Sequence, residues 1–160
     1  MVWVWLAYRY EAAGRYALRR MAGWPEVRVL GLVGHEEALL EVARWQAPQM
    51  VVVHVPSWGY PTVEWLRCLR GVAPGVRVLA VGCGAAQVGE AFLRLAPFGL
   101  RGCVCAETGR EVRAALQALR RANALYLCPQ ASRALLEAYR RRCAAPTQAA
   151  AAQMMAGALT

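Results

Sequence analysis

Val51-Val52-Val53-His54-Val55-Pro56 follows an Ala47-Pro48 break and predicts a fully buried central strand. β-Branched residues dominate the run, and no alternation with polar residues interrupts it, as expected for a strand covered on both faces of a parallel sheet. The one polar residue, His54, falls near the C-terminal end. In an open parallel α/β sheet that is the edge where ligands and chemistry gather. His54 is therefore the first candidate site residue.

Toward the N-terminus, Val2–Tyr8 and Glu26–Val33 read as strands, each followed by a helix, Glu11–Ala22 and Glu36–Gln46. Toward the C-terminus, Ser57-Trp58-Gly59-Tyr60-Pro61 reads as a loop and Thr62 as the N-cap of Val63–Gly71. A fourth strand follows at Val76–Val81, then a helix at Ala86–Leu95 and a fifth strand at Cys103-Val104-Cys105. Thr108 caps the next helix, Arg110–Arg121. Strands alternating with helices in this way predict a doubly wound parallel sheet. Beyond it lie Ala124-Leu125-Tyr126-Leu127-Cys128-Pro129 and a helix over Gln130–Arg142. Residues 144–160 read as a linker, or as a weak helix over Gln148–Ala158 that needs a partner.

Composition narrows the function classes. The chain has 160 residues and a net charge of +9, with no apolar run near the roughly 20 residues of a membrane span. The first eight residues are apolar, but Arg9 ends the run and nothing around it resembles a signal peptide. A soluble, cytoplasmic protein without membrane contact is expected. There is no Asp, Lys or Ile anywhere, so any mechanism that needs an aspartate is excluded. The positive charge favours polyanions. The arginines are nevertheless spread along the chain, and the single run Arg140-Arg141-Arg142 suits a helix C-terminus. The six cysteines (68, 83, 103, 105, 128 and 143) form no CxxC pair. They read as reduced thiols rather than a zinc module. Gly82-x-Gly84 lacks the third glycine of a dinucleotide loop, and no Ser-His-acid arrangement is suggested.

Three local runs resemble one known family. Ala47-Pro48-Gln49-Met50-Val51-Val52-Val53 is similar to its Arg-Pro-Asp-Val-Val-Leu-Met run. Gly99-Leu100-Arg101-Gly102-Cys103-Val104-Cys105-Ala106 is similar to its Gly-Ala-x-Gly-Tyr-Leu-Leu-Lys strand. Leu125-Tyr126-Leu127-Cys128-Pro129 is similar to its Val-Tyr-Leu-Ser-Pro segment. The family is the receiver domain of NarL/FixJ (LuxR-type) bacterial response regulators, and the resemblance covers roughly residues 2–142. It implies a flavodoxin-like, CheY-like fold of five parallel strands in order 2-1-3-4-5, plus an extra C-terminal helix. It divides the chain into a receiver-like domain (1–122), an extra segment and helix (123–143) and a linker (144–160). That linker would lead to a helix-turn-helix domain, whose opening the terminal Leu159-Thr160 resembles.

The resemblance fails where the family does its chemistry. The phosphoacceptor aspartate falls on His54, and the magnesium-holding acidic pair falls on Tyr8 and Arg9. The switch positions fall on Gly82 and Cys103, and the lysine on Ala106. Magnesium wants carboxylate oxygens, and phosphoryl transfer needs its charge neutralised. The expectation is a degenerate receiver: a phosphorylation-independent, homodimerising module of a transcription regulator. It would have no enzyme activity, metal or cofactor, would contact other regulatory proteins, and would reach DNA only through another domain. Candidate dimer faces carry Arg94, Arg101, Arg110 and Arg113, or Arg15, Arg19, Arg120 and Arg121. Two alternatives stand beside this reading. One is a stand-alone adaptor that binds another regulator. The other is a metal, haem or small-molecule sensor that joins His54 with Cys83 and Cys105 (or Cys103), in a pocket walled by Tyr10, Trp58 and Tyr60.

Overall fold

The central strand forms as expected and decides the architecture. In the computed structural model, which describes residues 1–121 and 123–158 (for 145–154 and 156–158 the backbone alone), β3 spans Met50–His54. Met50 through Val53 are wholly inaccessible. β1 (Val2–Ala7) lies on one side of it and β4 (Arg77–Val81) on the other, both parallel. β2 (Val27–Val33) closes one edge, and β5 (Leu100–Val104) continues the sheet on the other. The fold is flavodoxin-like, with all strands parallel.

The sheet has six strands, in order β2-β1-β3-β4-β5-β6, one more than expected. β6 is the two-residue Tyr126–Leu127, paired with Gly102 and Cys103, and the Cys128 N–H bonds the Cys103 carbonyl at 3.2 Å. A strand so short carries no period in the sequence. β5 also starts three residues earlier than expected. Gly102 belongs inside it, since a side chain there would press within 2.8 Å of Leu79. At the end of β3, Val55 and Pro56 open a helical turn, α3 (Val55–Trp58), instead of extending the strand. Proline tolerates a first helical turn because its missing N–H has no partner there anyway.

The helices divide by face. α1 (Glu11–Ala22) and α6 (Gly109–Ala118) cover one face, burying Ala17, Met21, Val112, Ala115 and Leu116 against Val4, Leu6, Met50 and Val52. α2 (Glu36–Trp45), α4 (Val63–Val72) and α5 (Val88–Leu95) cover the other, around Val51, Val53, Val78 and Ala80. The threonine caps form as expected: Thr62 accepts the Trp65 N–H at 3.1 Å, and Thr108 the Glu111 N–H at 3.4 Å. After β6 comes α7 (Pro129–Ala158). The helix expected to end at Arg142 thus runs on to Ala158, through residues read as a linker or as a weak helix over Gln148–Ala158. Leu159-Thr160 lies outside the described residues. No helix among the described residues is long and apolar enough to cross a membrane.

Candidate functional site

The two-residue alternation of β3 sends Met50, Val52 and His54 to the α1/α6 face, and Val51 and Val53 to the opposite one. His54 is the one buried polar residue among those described, 4% exposed. It is fully partnered. Tyr8, just past β1, stacks on the imidazole with ring centroids 4.5 Å apart and planes 8° from parallel. Tyr10 meets the same ring edge-on at 6.2 Å. Ser57, in α3, places its Oγ 2.8 Å from Nδ1, and Glu107, after β5, places its carboxylate on Nε2.

The partners fix the tautomer. A carboxylate only accepts, so Nε2 carries the hydrogen, and in the neutral ring Nδ1 accepts the Ser57 hydroxyl hydrogen. Ser57 Oγ in turn receives the Arg9 N–H at 3.0 Å. Arg20 donates to the Glu107 carbonyl at 2.9 Å, holding the acid over the histidine. Burial, and then the Glu107 charge, push the Tyr8 phenol up to about 12, against a smaller opposing pull from Arg20. A cavity of about 100 Å³ opens beside the cluster, lined by Tyr8, Tyr16, Arg20, His54, Glu107 and Val112 among others.

Gly82 makes this pairing sterically possible. Its φ is +71°, in the left-handed region that suits glycine. A Cβ there would stand 2.5 Å from Glu107 Oε1 and 2.7 Å from Pro56 Cδ. The position aligned with a family threonine or serine has no room for any side chain. Ala106, aligned with the lysine, brings no charge, and the next residue brings a negative one. Arg9, at the acidic-pair position, lies 3.8 Å from Glu36 and over the Trp58 ring at 4.9 Å. No group of three His, Cys, Asp or Glu side chains among the described residues is placed to hold a metal.

The expected joint pocket does not form. His54, Tyr8 and Tyr10 gather on the α1/α6 side, whereas Trp58, Cys83 and Cys103 pack in the opposite core, with Tyr60 and Cys105 against it. The sheet itself separates the histidine from the cysteines. Trp58 packs on Trp65 at 6.1 Å, and its buried indole N–H has no partner.

Glu107, Ser57 and Arg20 escaped the sequence reading. The signal for Glu107 is its charge: a histidine in the place of an aspartate calls for an acid where the lysine would stand, and Glu107 is the acid that follows β5. The structure also corrects the expectation of no Ser-His-acid arrangement, since Ser57, His54 and Glu107 are linked in series. The serine hydroxyl sits on Nδ1 and already takes a backbone N–H. The cavity beside His54 is lined by Glu107 and not by Ser57.

No family model matches the chain, and no curated protein matches it in sequence. Solved structures do. The isolated receiver domain of RcsB from Salmonella enterica serovar Typhimurium, with the phosphomimetic beryllofluoride, superposes with a TM-score of 0.68 at 14% identity. That match covers 84% of this chain and 98% of the other. A LuxR-family two-component response regulator from Aurantimonas matches at 0.68 and 19% identity, over 87% and 98% of the two chains. The fold is that of a receiver domain. RcsB dimers bound to DNA match at 0.69 and 13%, over 84% of this chain and 67% of the RcsB chain. At these identities the likeness establishes the receiver fold alone.

Proposed function

We propose that this chain is a regulatory and dimerisation module of a LuxR-type transcription regulator, in which the receiver fold works without aspartyl phosphorylation. One observation carries the reading. At the sheet edge where an aspartate and a lysine would face each other, the chain places His54 against Glu107, a pair of reversed polarity. The inventory of charges agrees, since the chain has neither Asp nor Lys. A carboxylate next to the acceptor position repels an incoming phosphoryl group, whereas a lysine would attract it. With Tyr8 stacked on it and both nitrogens engaged, His54 also offers no free nucleophile.

On this reading the module sits in the cytoplasm, homodimerises through a helical face and meets DNA through another domain. No catalytic step belongs to it. The sensor alternative loses its joint His/Cys ligand set, because those residues lie on opposite faces of the sheet.

The test is incubation of the purified chain with acetyl phosphate or beryllofluoride and magnesium, followed by sedimentation and intact mass. Unchanged mass and unchanged association support the reading. A stable phosphoryl adduct, or an oligomeric state that responds to either reagent, contradicts it.

A further inference from the structure

The α5/α7 side of the molecule carries an apolar groove, away from the His54 cluster. α7 is clamped onto α5: the Ala134 backbone lies against Gly89, Ala138 is wholly buried, and Glu90 takes Arg142 at 3.1 Å. The groove beside it, about 520 Å³, is lined by Leu93, Leu127, Ser132, Leu135, Leu136 and Tyr139. Ser132 turns its hydroxyl to the Leu127 carbonyl at 3.5 Å, which leaves mostly carbon facing out. Leu136 and Tyr139 are nevertheless 50% and 57% exposed.

The exposed residues keep a coiled-coil spacing. Ser132, Leu136, Tyr139 and Cys143 follow one another at intervals of four, three and four, as the a and d positions of a heptad do. Ala131, Ala134 and Ala138 make up the other, buried side, against α5. Helix α7 thus has two packing faces, and one of them is exposed. Charge says what fits it. Each copy of the chain carries a net +9, so two copies meet most easily where arginine is scarce or paired. The α1/α6 face exposes Arg15, Arg19, Arg120 and Arg121, of which Arg15 alone has an ion pair among the described residues. On α7, Arg141 and Arg142 are tied to Glu90. Arg133 and Arg140 flank the seam on its outer side and set its direction. Antiparallel pairing would bring Arg133 against the partner's Arg140. Parallel pairing brings Arg140 against the partner's Leu135 instead.

We propose that two copies of the chain join along this seam, α7 lying parallel to α7, an inference that rests on the homodimerising reading above. Leu136 then packs on the partner's Leu136 and Tyr139 on the partner's Tyr139, with Leu93 and Leu127 closing over the sides. The arrangement also sets Cys143, exposed in the single chain, opposite the partner's Cys143 at the next layer. Because α7 is already fixed on α5, the seam is formed before the second copy arrives, and little ordering is left to oppose association.

The experiment uses the full chain with Cys68→Ser, which leaves Cys143 as the exposed thiol. Sedimentation equilibrium gives the dissociation constant. Diamide treatment, followed by non-reducing electrophoresis and peptide mapping, gives the contact. The expected result is a dimer that diamide locks through a Cys143–Cys143 disulfide, the two thiols losing two hydrogens to the reagent. Leu136→Glu sets two carboxylates face to face and should raise the dissociation constant about tenfold or more, with circular dichroism unchanged. Arg19→Glu, on the α1 face, should not raise it. A dimer that ignores Leu136→Glu and is not locked through Cys143 overturns this face and leaves the homodimer reading standing. A dimer weakened by Leu136→Glu but not locked through Cys143 overturns the parallel direction. A monomer at every concentration overturns the homodimer reading and the seam with it. An apolar molecule held in the groove, seen as added mass in native spectra, overturns the second copy as its occupant. The Cys143 readout changes nothing on the seam, so it decides the matter should Leu136→Glu fail to fold.

Discussion

His54 illustrates how one residue type redirects a site. A buried imidazole needs a partner at each nitrogen, and Ser57 and Glu107 supply them. Removing the ring takes a partner from the half-exposed Glu107 carboxylate and opens a cavity beneath Tyr8. His54→Ala is therefore expected to cost about 2–4 kcal/mol in chemical denaturation. His54→Asp is expected to be worse at neutral pH, by about 3 kcal/mol or more, because two carboxylates then face each other beside a buried ring. Magnesium titration of that variant should give no binding heat, since Tyr8 and Arg9 still occupy the acidic-pair positions. Tyr8 gives a pH prediction with a definite sign. Its folded value lies above its ordinary 10.0, so it contributes stability below pH 10 that is lost as the pH rises toward about 12. Ultraviolet titration of the phenolates should find Tyr8 among the last to ionise in the folded chain, and a Tyr8→Phe variant should lack that late step.

Between elements, small residues and single ion pairs set the contacts. Gly89 in α5 faces the Ala134 carbonyl of α7 so closely that a methyl group would collide with the helix backbone. Gly89→Ala is expected to cost about 1–3 kcal/mol. Faster hydrogen exchange should then be confined to α7 and α5, with the β1–β3–β4 strands unchanged. Glu26, just before β2, takes a two-pronged bond from Arg113 of α6, at 2.5 and 3.1 Å. The Arg113 guanidinium, bonded to the carboxylate, holds Glu26 down to about 2 from 4.5. Its contribution is present above pH 4.5 and lost as the pH falls toward 2. Melting curves of the chain and of Glu26→Gln should converge over that interval. Elements of this kind were legible unequally. The helical caps at Thr62 and Thr108 and the buried β3 follow from local residue chemistry, and they form where the sequence places them. β6 did not, because two residues carry no pattern and its pairing depends on Cys103, far off in the chain. Helix α3 was hidden inside the apparent strand Val51–Pro56, since β-branched Val55 continues the strand pattern and Pro56 suits a strand end as well as a first helical turn. At the site, His54 and Tyr8 were legible by position. Glu107 was not, because pairing across the ends of β3 and β5 is a tertiary fact, and Gly82 shows its purpose only once the carboxylate fills the space beside it.

At the scale of the whole molecule, a receiver fold is built from a chain that has neither Asp nor Lys. The packing that makes the fold does not depend on those groups, because it lies in two apolar layers on either side of β1, β3 and β4. On the proposed reading, association by this fold is independent of phosphoryl chemistry at the sheet edge. Native mass spectrometry over a range of protein concentrations, with and without beryllofluoride and magnesium, tests it most directly. The expected result is a dimer that grows with concentration, carries no added mass and is indifferent to the reagent. A monomer at every concentration, or an adduct that shifts the equilibrium, would contradict it.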